Sequence, residues 1–342
     1  MHATAPSGAF ASRSWCRSIP KVNVQPLPPN SPDAADVSAG AESPTRLRSG
    51  LTFALVSYVL WGFFPLYFLL LQPSQPAEIV AWRILFSLIF CAILLTATRS
   101  WPRLIAIIRQ PRLLWLMALA GIMIVINWQV YIYATLNGHV IETSLGYFIN
   151  PIVTVLLGVL VLHERLRPMQ WVAVAVSAVA VIVLAANYGS FPMISLTLAF
   201  SFGLYGLIKK RVGSRVDALS GLTVETAWLV PVAVVQLLVV AGGAGITLGS
   251  VSVAHSILLV GTGIVTAVPL LLFAAGSRRL PLIYVGFTQF IAPILQLVIG
   301  IAVLGEHMPL ARWGGFALVW FALIVLSVDL ILAARRARAS AS

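Results

Sequence analysis

The chain has 342 residues, of which 60% are hydrophobic and only 9% are charged, and its mean hydropathy is +0.97. These values lie outside the range of soluble globular domains and predict an integral membrane protein. A net charge of +12 would suggest a nucleic-acid partner in a soluble chain. In a membrane protein it is better explained by Lys and Arg collected in cytoplasmic loops, so we expect no nucleic-acid partner.

The first 48 residues differ in kind from the rest. They hold seven prolines and many Ser and Ala, and they contain no long apolar stretch. Such a segment cannot bury enough apolar surface to offset the entropy of ordering. We predict that residues 1–48 form a disordered cytoplasmic tail, to which we assign no function.

Ten apolar stretches follow from Leu51 onward, each long enough for a helix across a hydrocarbon core of about 30 Å. They predict an all-α integral membrane protein with ten transmembrane helices. The stretches cover roughly 51–71, 79–98, 113–134, 140–161, 169–187, 191–208, 219–241, 253–275, 281–303 and 310–332.

The cations predict the direction of the helices, because Lys and Arg resist translocation and mark cytoplasmic loops. With the N-terminus inside, all of the 22 Lys and Arg residues except Arg83 and Arg312 fall in predicted cytoplasmic segments. We therefore predict that both termini are cytoplasmic and that residues 335–342 form a basic C-terminal tail.

An internal repeat divides the chain. The run "SLGYFINPIVTVLLG" at 144–158 is followed 142 residues later by "GFTQFIAPILQLVIG", and the alignment keeps Pro151 with Pro293 and Gly158 with Gly300. Because each half, 50–187 and 190–334, holds an odd number of helices, the second must be inverted relative to the first, as in secondary transporters. An old duplication kept for packing would explain the repeat equally well.

The two repeated prolines predict a binding site near the middle of the membrane. Pro151 and Pro293 leave the carbonyls of Tyr147 and Gln289 without their usual helical donors. Freed carbonyls at that depth need a neighbouring helix, a water or a ligand. Two matched kinks favour a central site, whereas a single proline kink would need no functional explanation.

Polar side chains cluster on the same helices. The fourth span carries a polar and small stripe and the ninth span carries its register-matched partners, so these faces should meet protein or water rather than lipid. Helix packing through small residues is the alternative. The two stripes are Glu142, Gly146, Asn150 and Thr154, and Tyr284, Thr288, Ala292 and Gln296. The third span adds Asn127, Gln129 and Tyr131, which suit an organic solute.

Four charged residues fall within or at the ends of spans, outside the basic loops: Arg83, Glu142, Glu225 and Asp329. Such groups are costly in a membrane and are candidates for function, although each could instead reach the interface by snorkelling. We expect Arg83 and Glu142 to pair in an outer vestibule, and Glu225 to serve as a coupling proton carrier.

Two further carboxylates, Glu164 and Glu306, lie just past the ends of helices, where we expect caps and loop anchors. The histidines have no metal-ligand spacing, and no nucleotide-binding or hydrolase motif is present. We therefore predict no cofactor, no metal and no enzymatic activity.

Nine ordered runs resemble one known group of membrane proteins, the RarD branch of the EamA (drug/metabolite transporter) superfamily. They include "SYVLWGFFPLYF" at 57–68, "EIVAWR" at 78–83, "NWQVYIYA" at 127–134, "ETSLGYFINP" at 142–151 and "LAFSFGLYGLIKK" at 198–210. The resemblance implies a ten-helix permease of the inner membrane, built from two inverted EamA repeats, in a superfamily that moves amino acids, metabolites, drugs or sugars. The chain departs from the group in its proline-rich tail and at Trp82, where the related motif has a histidine.

Together these patterns predict a secondary transporter that exports small organic solutes by alternating access around a midplane site. A membrane-embedded enzyme acting on lipid-linked substrates, and a non-transporting scaffold or sensor, are the alternatives. The expected partners are the solute, the bilayer and a proton or other coupling ion. The candidate pathway residues are Arg83, Asn127, Gln129, Tyr131, Glu142, Tyr147, Asn150, Pro151, Gln289, Pro293 and Gln296, with Glu225 as the proton carrier.

Overall fold

A computed structural model of the chain describes residues 44–162, 166–188, 192–277, 279–280 and 282–339, and every regular element among them is helical. The helices are α1 Pro44–Gly62, α2 Phe64–Leu69, α3 Pro76–Ala97, α4 Trp101–Ile108, α5 Pro111–Leu136, α6 Val140–Leu162, α7 Pro168–Tyr188, α8 Met193–Val212, α9 Ala218–Gly242, α10 Val253–Ser277, α11 Leu282–Thr288, α12 Ile291–Val298 and α13 Leu310–Ala339. A 3₁₀ turn, Gly213–Arg215, follows α8, and a π-helical turn, Ile299–Val303, follows α12.

Eight stretches of the described helices are long and apolar enough to cross a membrane, and they coincide with eight of the ten predicted spans. The two others are helical as well. In α7 the apolar stretch Pro168–Val183 is shorter than a full span, and α8 ends in three cations, Lys209, Lys210 and Arg211, which lower its mean hydropathy. The chain is thus a multi-pass membrane protein, and the number ten stays a prediction.

Both ends of the bundle extend further as helix than the composition predicts. Helix α1 begins at Pro44, within the predicted tail, because proline is well tolerated in the first turn of a helix. Helix α13 continues to Ala339, through most of the predicted basic tail. Residues 1–43 and 340–342 lie outside the described part of the chain.

Helices begin at repeated positions along the chain. The starts of α3, α5, α6 and α7 are each followed, 142 positions later, by the starts of α9, α10, α11 and α13. The offset is the one found between the two proline-containing runs. Helix starts are a property of the backbone, so they add an observation independent of residue identity.

The two proline-containing segments differ in the structure. Helix α6 runs without interruption through Pro151, so the prediction of a matched break in both copies is wrong for the first copy. The second copy does break, since turn residues Gln289 and Phe290 separate α11 from α12. Pro293 then falls in the first turn of α12, where a missing N–H costs no helical hydrogen bond.

The helices pack around two main apolar cores. One core gathers α6, α7, α8, α12 and α13 around Phe148 and Phe316, and the other gathers α2, α3, α5, α8, α9 and α10 around Phe68 and Trp128. Helix α3 packs extensively on α9, and α7 on α13. In both pairs a helix lies against the one that begins 142 positions later.

The polar stripe of α6 faces another helix. Gly146 allows the backbone of α6 to approach α8, since an added Cβ would lie 2.8 Å from the carbonyl oxygen of Ser195. One turn further, Asn150 Nδ2 donates to the carbonyl oxygen of Ala199 at 3.0 Å, while Thr154 is exposed. For Gly146 and Asn150 the packing alternative is therefore the observed arrangement.

We predict that Gly146→Ala lowers the free energy of unfolding by about 1–3 kcal/mol, because the added methyl group overpacks the contact with α8. The measurement is the thermal midpoint of the purified protein in detergent. Gly206→Ala on α8 is the matched control, since nothing lies within 4 Å of its added Cβ. That control should keep or raise the midpoint, because alanine favours a helix over glycine by roughly 1 kcal/mol. Equal midpoints for the two variants would contradict the close approach.

Candidate functional site

Arg83 lies inside the bundle. It follows Pro76, the first residue of α3, by seven positions, which places it about 10 Å into the helix at ~1.5 Å per residue. The side chain is 4% exposed, and its Nε donates to Thr266 Oγ1 on α10 at 2.8 Å. Among the described residues this is the only hydrogen bond of the guanidinium, and no carboxylate there forms an ion pair with it.

Three aromatic rings surround the guanidinium. Its Cζ lies 4.1 Å from the ring centroid of Trp128, 5.5 Å from that of Phe68 and 5.7 Å from that of Phe64. We call these three rings the aromatic cage. Phe64 and Phe68 share one face of α2 because they are four positions apart. Trp128 comes from α5, so the cage forms only when α2, α3 and α5 pack together.

Asn127, next to Trp128 on α5, joins three helices. Its Nδ2 donates to Ser201 Oγ at 3.1 Å and to the carbonyl oxygen of Leu198 at 3.2 Å, both on α8. Its Oδ1 accepts a hydrogen bond from the Tyr147 hydroxyl on α6 at 2.9 Å. Asn127 is only 2% exposed, so its amide is satisfied entirely within the protein.

A row of aromatic side chains connects the cage to a second charged centre. Successive ring centroids are 6.1 Å apart from Phe68 to Tyr131, 5.9 Å from Tyr131 to Tyr147, 5.9 Å from Tyr147 to Phe202 and 6.0 Å from Phe202 to Tyr205. We call these five residues the aromatic row. Edge-to-face and tilted rings at such separations attract one another. The row therefore forms a continuous aromatic surface within the bundle.

The second charged centre is Glu225 on α9. Its Oε1 lies 2.7 Å from Lys209 Nζ, and its Oε2 accepts a hydrogen bond from the Tyr205 hydroxyl at 3.2 Å. The Glu225 side chain is 2% exposed, whereas that of Lys209 is 31% exposed. A buried carboxylate is thus held by a lysine that can reach solvent.

Arg83 and Glu225 occupy register-equivalent positions, since Glu225 follows Arg83 by 142 residues. Each lies seven positions into its helix, α3 or α9. Tyr67 and Lys209 stand at the same offset, and each interacts with the charged residue of its own half. The spacing in the sequence could have paired these positions, but only the aligned proline runs were compared at that stage.

The structure brings four of the predicted pathway residues into this region: Arg83, Asn127, Tyr131 and Tyr147. The others lie elsewhere. Gln129 Oε1 accepts from Gln236 Nε2 on α9 at 2.9 Å, and Pro151 lies within α6, where the Asn150 side chain faces α8.

The remaining three predicted residues lie on the broken segment. Gln289 is a half-buried turn residue between α11 and α12. The carbonyl oxygen of Pro293 accepts from Ser144 Oγ at 2.7 Å, and so ties α12 to α6. Gln296 Nε2 donates to the carbonyl oxygen of Trp61 at 3.2 Å, while its buried Oε1 has no partner among the described residues.

The expected ion pair between Arg83 and Glu142 is wrong. The Glu142 carboxylate lies 3.3 Å from His139 Nδ1, one turn earlier, and Arg83 is enclosed by the cage. Asp329 also has a partner, because Arg167 Nε lies 3.5 Å from its carboxylate.

The sequence analysis overlooked Glu78. It lies in the first turn of α3, where an acidic residue commonly faces water, yet it is fully buried. Its Oε1 accepts hydrogen bonds from the backbone N–H of Thr247 at 2.7 Å and from Trp82 Nε1 at 3.2 Å. Glu78 thus anchors the loop between α9 and α10, and Trp82 supports that anchor.

Glu306 has the capping role that the sequence predicts. Its Oε1 and Oε2 accept from the backbone N–H groups of Val140 and Ile141 at 2.6 and 2.9 Å, so it caps the start of α6. Burial raises the pKa of the Glu306 carboxyl above its usual value, and these two N–H donors oppose the shift. Glu164, its counterpart, lies outside the described residues.

A multi-pass helical bundle with buried charged and aromatic side chains along its interior defines the class of membrane transporters. The EamA-like transporter family model matches residues 48–186. RarD of Streptomyces exfoliatus is 46% identical over 85% of this chain and 92% of its own length. RarD of Escherichia coli K12 is 39% identical over 85% and 98%, and the uncharacterized transporter YojE of Bacillus subtilis 168 is 43% identical over 82% and 94%.

A known crystal structure shares the fold with a TM-score of 0.54, at 18% identity, over 81% of this chain and 96% of that one. The chain belongs to the RarD branch of the EamA-like transporter family. The resemblance drawn from the sequence motifs is therefore confirmed. The chain is a membrane transporter of the drug/metabolite kind.

We predict that Glu306→Gln frays the start of α6, because an amide side chain has one acceptor oxygen where the carboxylate has two. Losing a cap costs about 1 kcal/mol, so amide hydrogen exchange at Val140 and Ile141 should accelerate roughly 5-fold. Mass spectrometry of the exchanged peptides measures this. Glu142→Gln is the control, since its carboxylate contacts His139 rather than the α6 backbone. Unchanged exchange in Glu306→Gln would rule out the cap.

We also predict strong coupling between Lys209 and Glu225. Lys209→Met leaves a buried carboxylate unpaired and should lower the free energy of unfolding by about 3 kcal/mol, while Glu225→Gln should cost less because Lys209 can turn to solvent. The double variant should be more stable than the sum of the two losses implies. Thermal or denaturant unfolding in detergent measures all three, and additive losses would show that the pair contributes nothing.

Proposed function

We propose that the chain is a secondary carrier that exports small organic solutes, such as metabolites, amino acids or drugs, across the inner membrane. The observation that carries the proposal is the aromatic row, which joins a buried cation, Arg83, to a buried anion, Glu225. Such groups are costly inside a membrane unless they serve a pathway. Aromatic walls with a few polar groups also suit an organic solute better than a bare ion.

Alternating access is supported by the repeated helix starts and by the packing of α3 on α9 and of α7 on α13. In a carrier built from inverted repeats, each half can adopt the other's arrangement, so that a central site opens to either side in turn. We propose that residues 50–187 and 190–334 are these two halves. The cations of the loops support an orientation with residues 98–110 and 213–217 at the cytoplasmic face.

We propose that Glu225 carries the coupling proton. Its carboxylate is buried and contacts a lysine that is partly exposed, so a movement of Lys209 toward solvent would leave a proton as the remaining neutralising partner. Tyr205, which donates to Glu225, ends the aromatic row. The carboxyl is thus in contact with the proposed solute pathway.

The test begins with metabolite profiles of cells that lack or overproduce the protein. The exported solute should accumulate inside the first cells and outside the second. Everted vesicles then report its movement with and without a proton gradient. No movement of any solute from a broad panel under either condition would overturn the carrier.

We predict that Glu225→Gln abolishes accumulation driven by a proton gradient but keeps solute exchange at equal concentrations, because the amide cannot release a proton. Asp329→Asn is the matched control. It neutralises another buried, cation-paired carboxyl that lies outside the aromatic row, and gradient-driven accumulation should survive. If Glu225→Gln accumulates solute as the wild type does, Glu225 is not the proton carrier.

A further inference from the structure

We propose that Arg83 binds the carboxylate of the transported solute, so that the carrier selects organic acids with an apolar or aromatic body. This inference rests on the proposed function, which by itself leaves the solute class open. It depends on the charge balance around Arg83, on the shape of the aromatic cage and on the construction of α2.

The first argument is the missing counter-charge. The other buried ionisable groups of the described chain have compensating partners: Glu225 has Lys209, Asp329 has Arg167, and Glu78 has two backbone N–H groups. Arg83 has Thr266, which is neutral, and the nearby ionisable side chains that act on it are the phenols of Tyr67, Tyr131 and Tyr147. Phenols carry no charge near pH 7.

The second argument is one of magnitude. A desolvated cation gains about 2 kcal/mol from an aromatic face. Burying an unpaired ion costs several kcal/mol even after the protein relaxes. The centroids of Phe64 and Phe68 are more than 5 Å from Cζ, so these rings contribute less than Trp128. The cage therefore reduces the cost of the charge without replacing an anion.

The third argument is the geometry that remains for a ligand. Nε is used by Thr266, which leaves both terminal amino groups of the guanidinium free of hydrogen bonds to described residues. Trp128 lies closest to the guanidinium carbon, so a new partner is best placed at the edge of the plane. Two parallel N–H donors at that edge match a carboxylate, which accepts bidentate hydrogen bonds from arginine. The adjoining rings would then contact the rest of the solute.

The fourth argument is access. Two of the three cage rings are on α2, a helix of six residues that is separated from α1 at Phe63 and has Pro65 near its start. A short segment of this kind can move while the long helices α3 and α5 stay packed. Its displacement would uncover Arg83 and leave Trp128 in place.

The test uses three solutes that share one body and differ in charge: 3-phenylpropanoate, its amide and the corresponding amine. Thermal shifts of the detergent-purified wild type should show stabilisation by the acid and not by the amide or amine, since only a ligand that binds the folded state raises its stability. A panel of natural aliphatic and aromatic carboxylates, each paired with its amide, extends the comparison. Equal shifts for acid and amide throughout would overturn the inference, even if no variant could be purified.

Variants separate the arginine from charge in general. Arg83→Gln should weaken acid binding and acid counterflow in proteoliposomes by about 10- to 100-fold, the loss expected for a hydrogen bond to a charged group. Arg83→Lys keeps the charge but loses the planar pair of donors, so its loss should be intermediate. Arg103→Gln, which removes an exposed cation of α4, is the matched control and should bind and transport as the wild type does.

The two proposals fail in different ways. If neutral or cationic solutes are transported, and Arg83→Gln moves them as fast as the wild type, the carrier stands and the assignment of Arg83 is overturned. If no solute of any charge moves, the proposed function fails and the inference fails with it. Acid-selective binding that is lost in Arg83→Gln and kept in Arg103→Gln supports both.

Discussion

The interior of a bilayer offers no water, so every buried charge and every freed backbone group must find its partner within the protein. Most of the contacts described above meet this constraint. Glu78 holds the loop at Thr247, and Glu306 holds the start of α6. In each case a carboxylate on one element fixes another element that is distant in sequence. Arg83 is the exception, because the fold gives it a shaped environment without a counter-charge.

The same constraint explains how the apolar helices recognise one another. Lipid is as apolar as leucine, so association depends on close approach and on hydrogen bonds between helices. Ser57 donates to the carbonyl of Pro269 at 2.8 Å, and Ser144 donates to that of Pro293 at 2.7 Å. Both prolines lie in the second half of the chain and both serines in the first. The helices that contain prolines thus also provide acceptors that join the two halves.

The sequence predicts the helices well because their ends are marked chemically. Prolines stand at the first residues of α3, α5 and α7, and cations follow the apolar stretches, so most boundaries agree within a few residues. Periodicity also identifies which residues of α6 share a face. It does not identify the neighbour that this face meets, and for Asn150 the neighbour is the backbone of α8.

The candidate site was harder to predict than the helices, because it depends on contacts between distant segments. Glu142 has a histidine one turn away, and this local partner takes the place of Arg83. Glu78 is buried by a loop that follows it by some 170 positions, which no local pattern indicates. Arg83 itself was identified correctly as a candidate by its position within an apolar span. Its surroundings became evident only when α2, α3 and α5 were seen together.

The two charged centres are opposite in sign and equivalent in register, which constrains how the proposed carrier would work. In an inverted repeat, Arg83 and Glu225 lie at similar depths from opposite faces, each about 10 Å along its helix. An organic anion that leaves Arg83 along the aromatic row approaches the Glu225 carboxylate, and two negative charges in a medium of low dielectric constant repel strongly. Neutralisation of Glu225, by Lys209 or by a proton, removes that barrier. Proton binding and solute release would then be linked by electrostatic repulsion alone, without any direct contact between the proton and the solute.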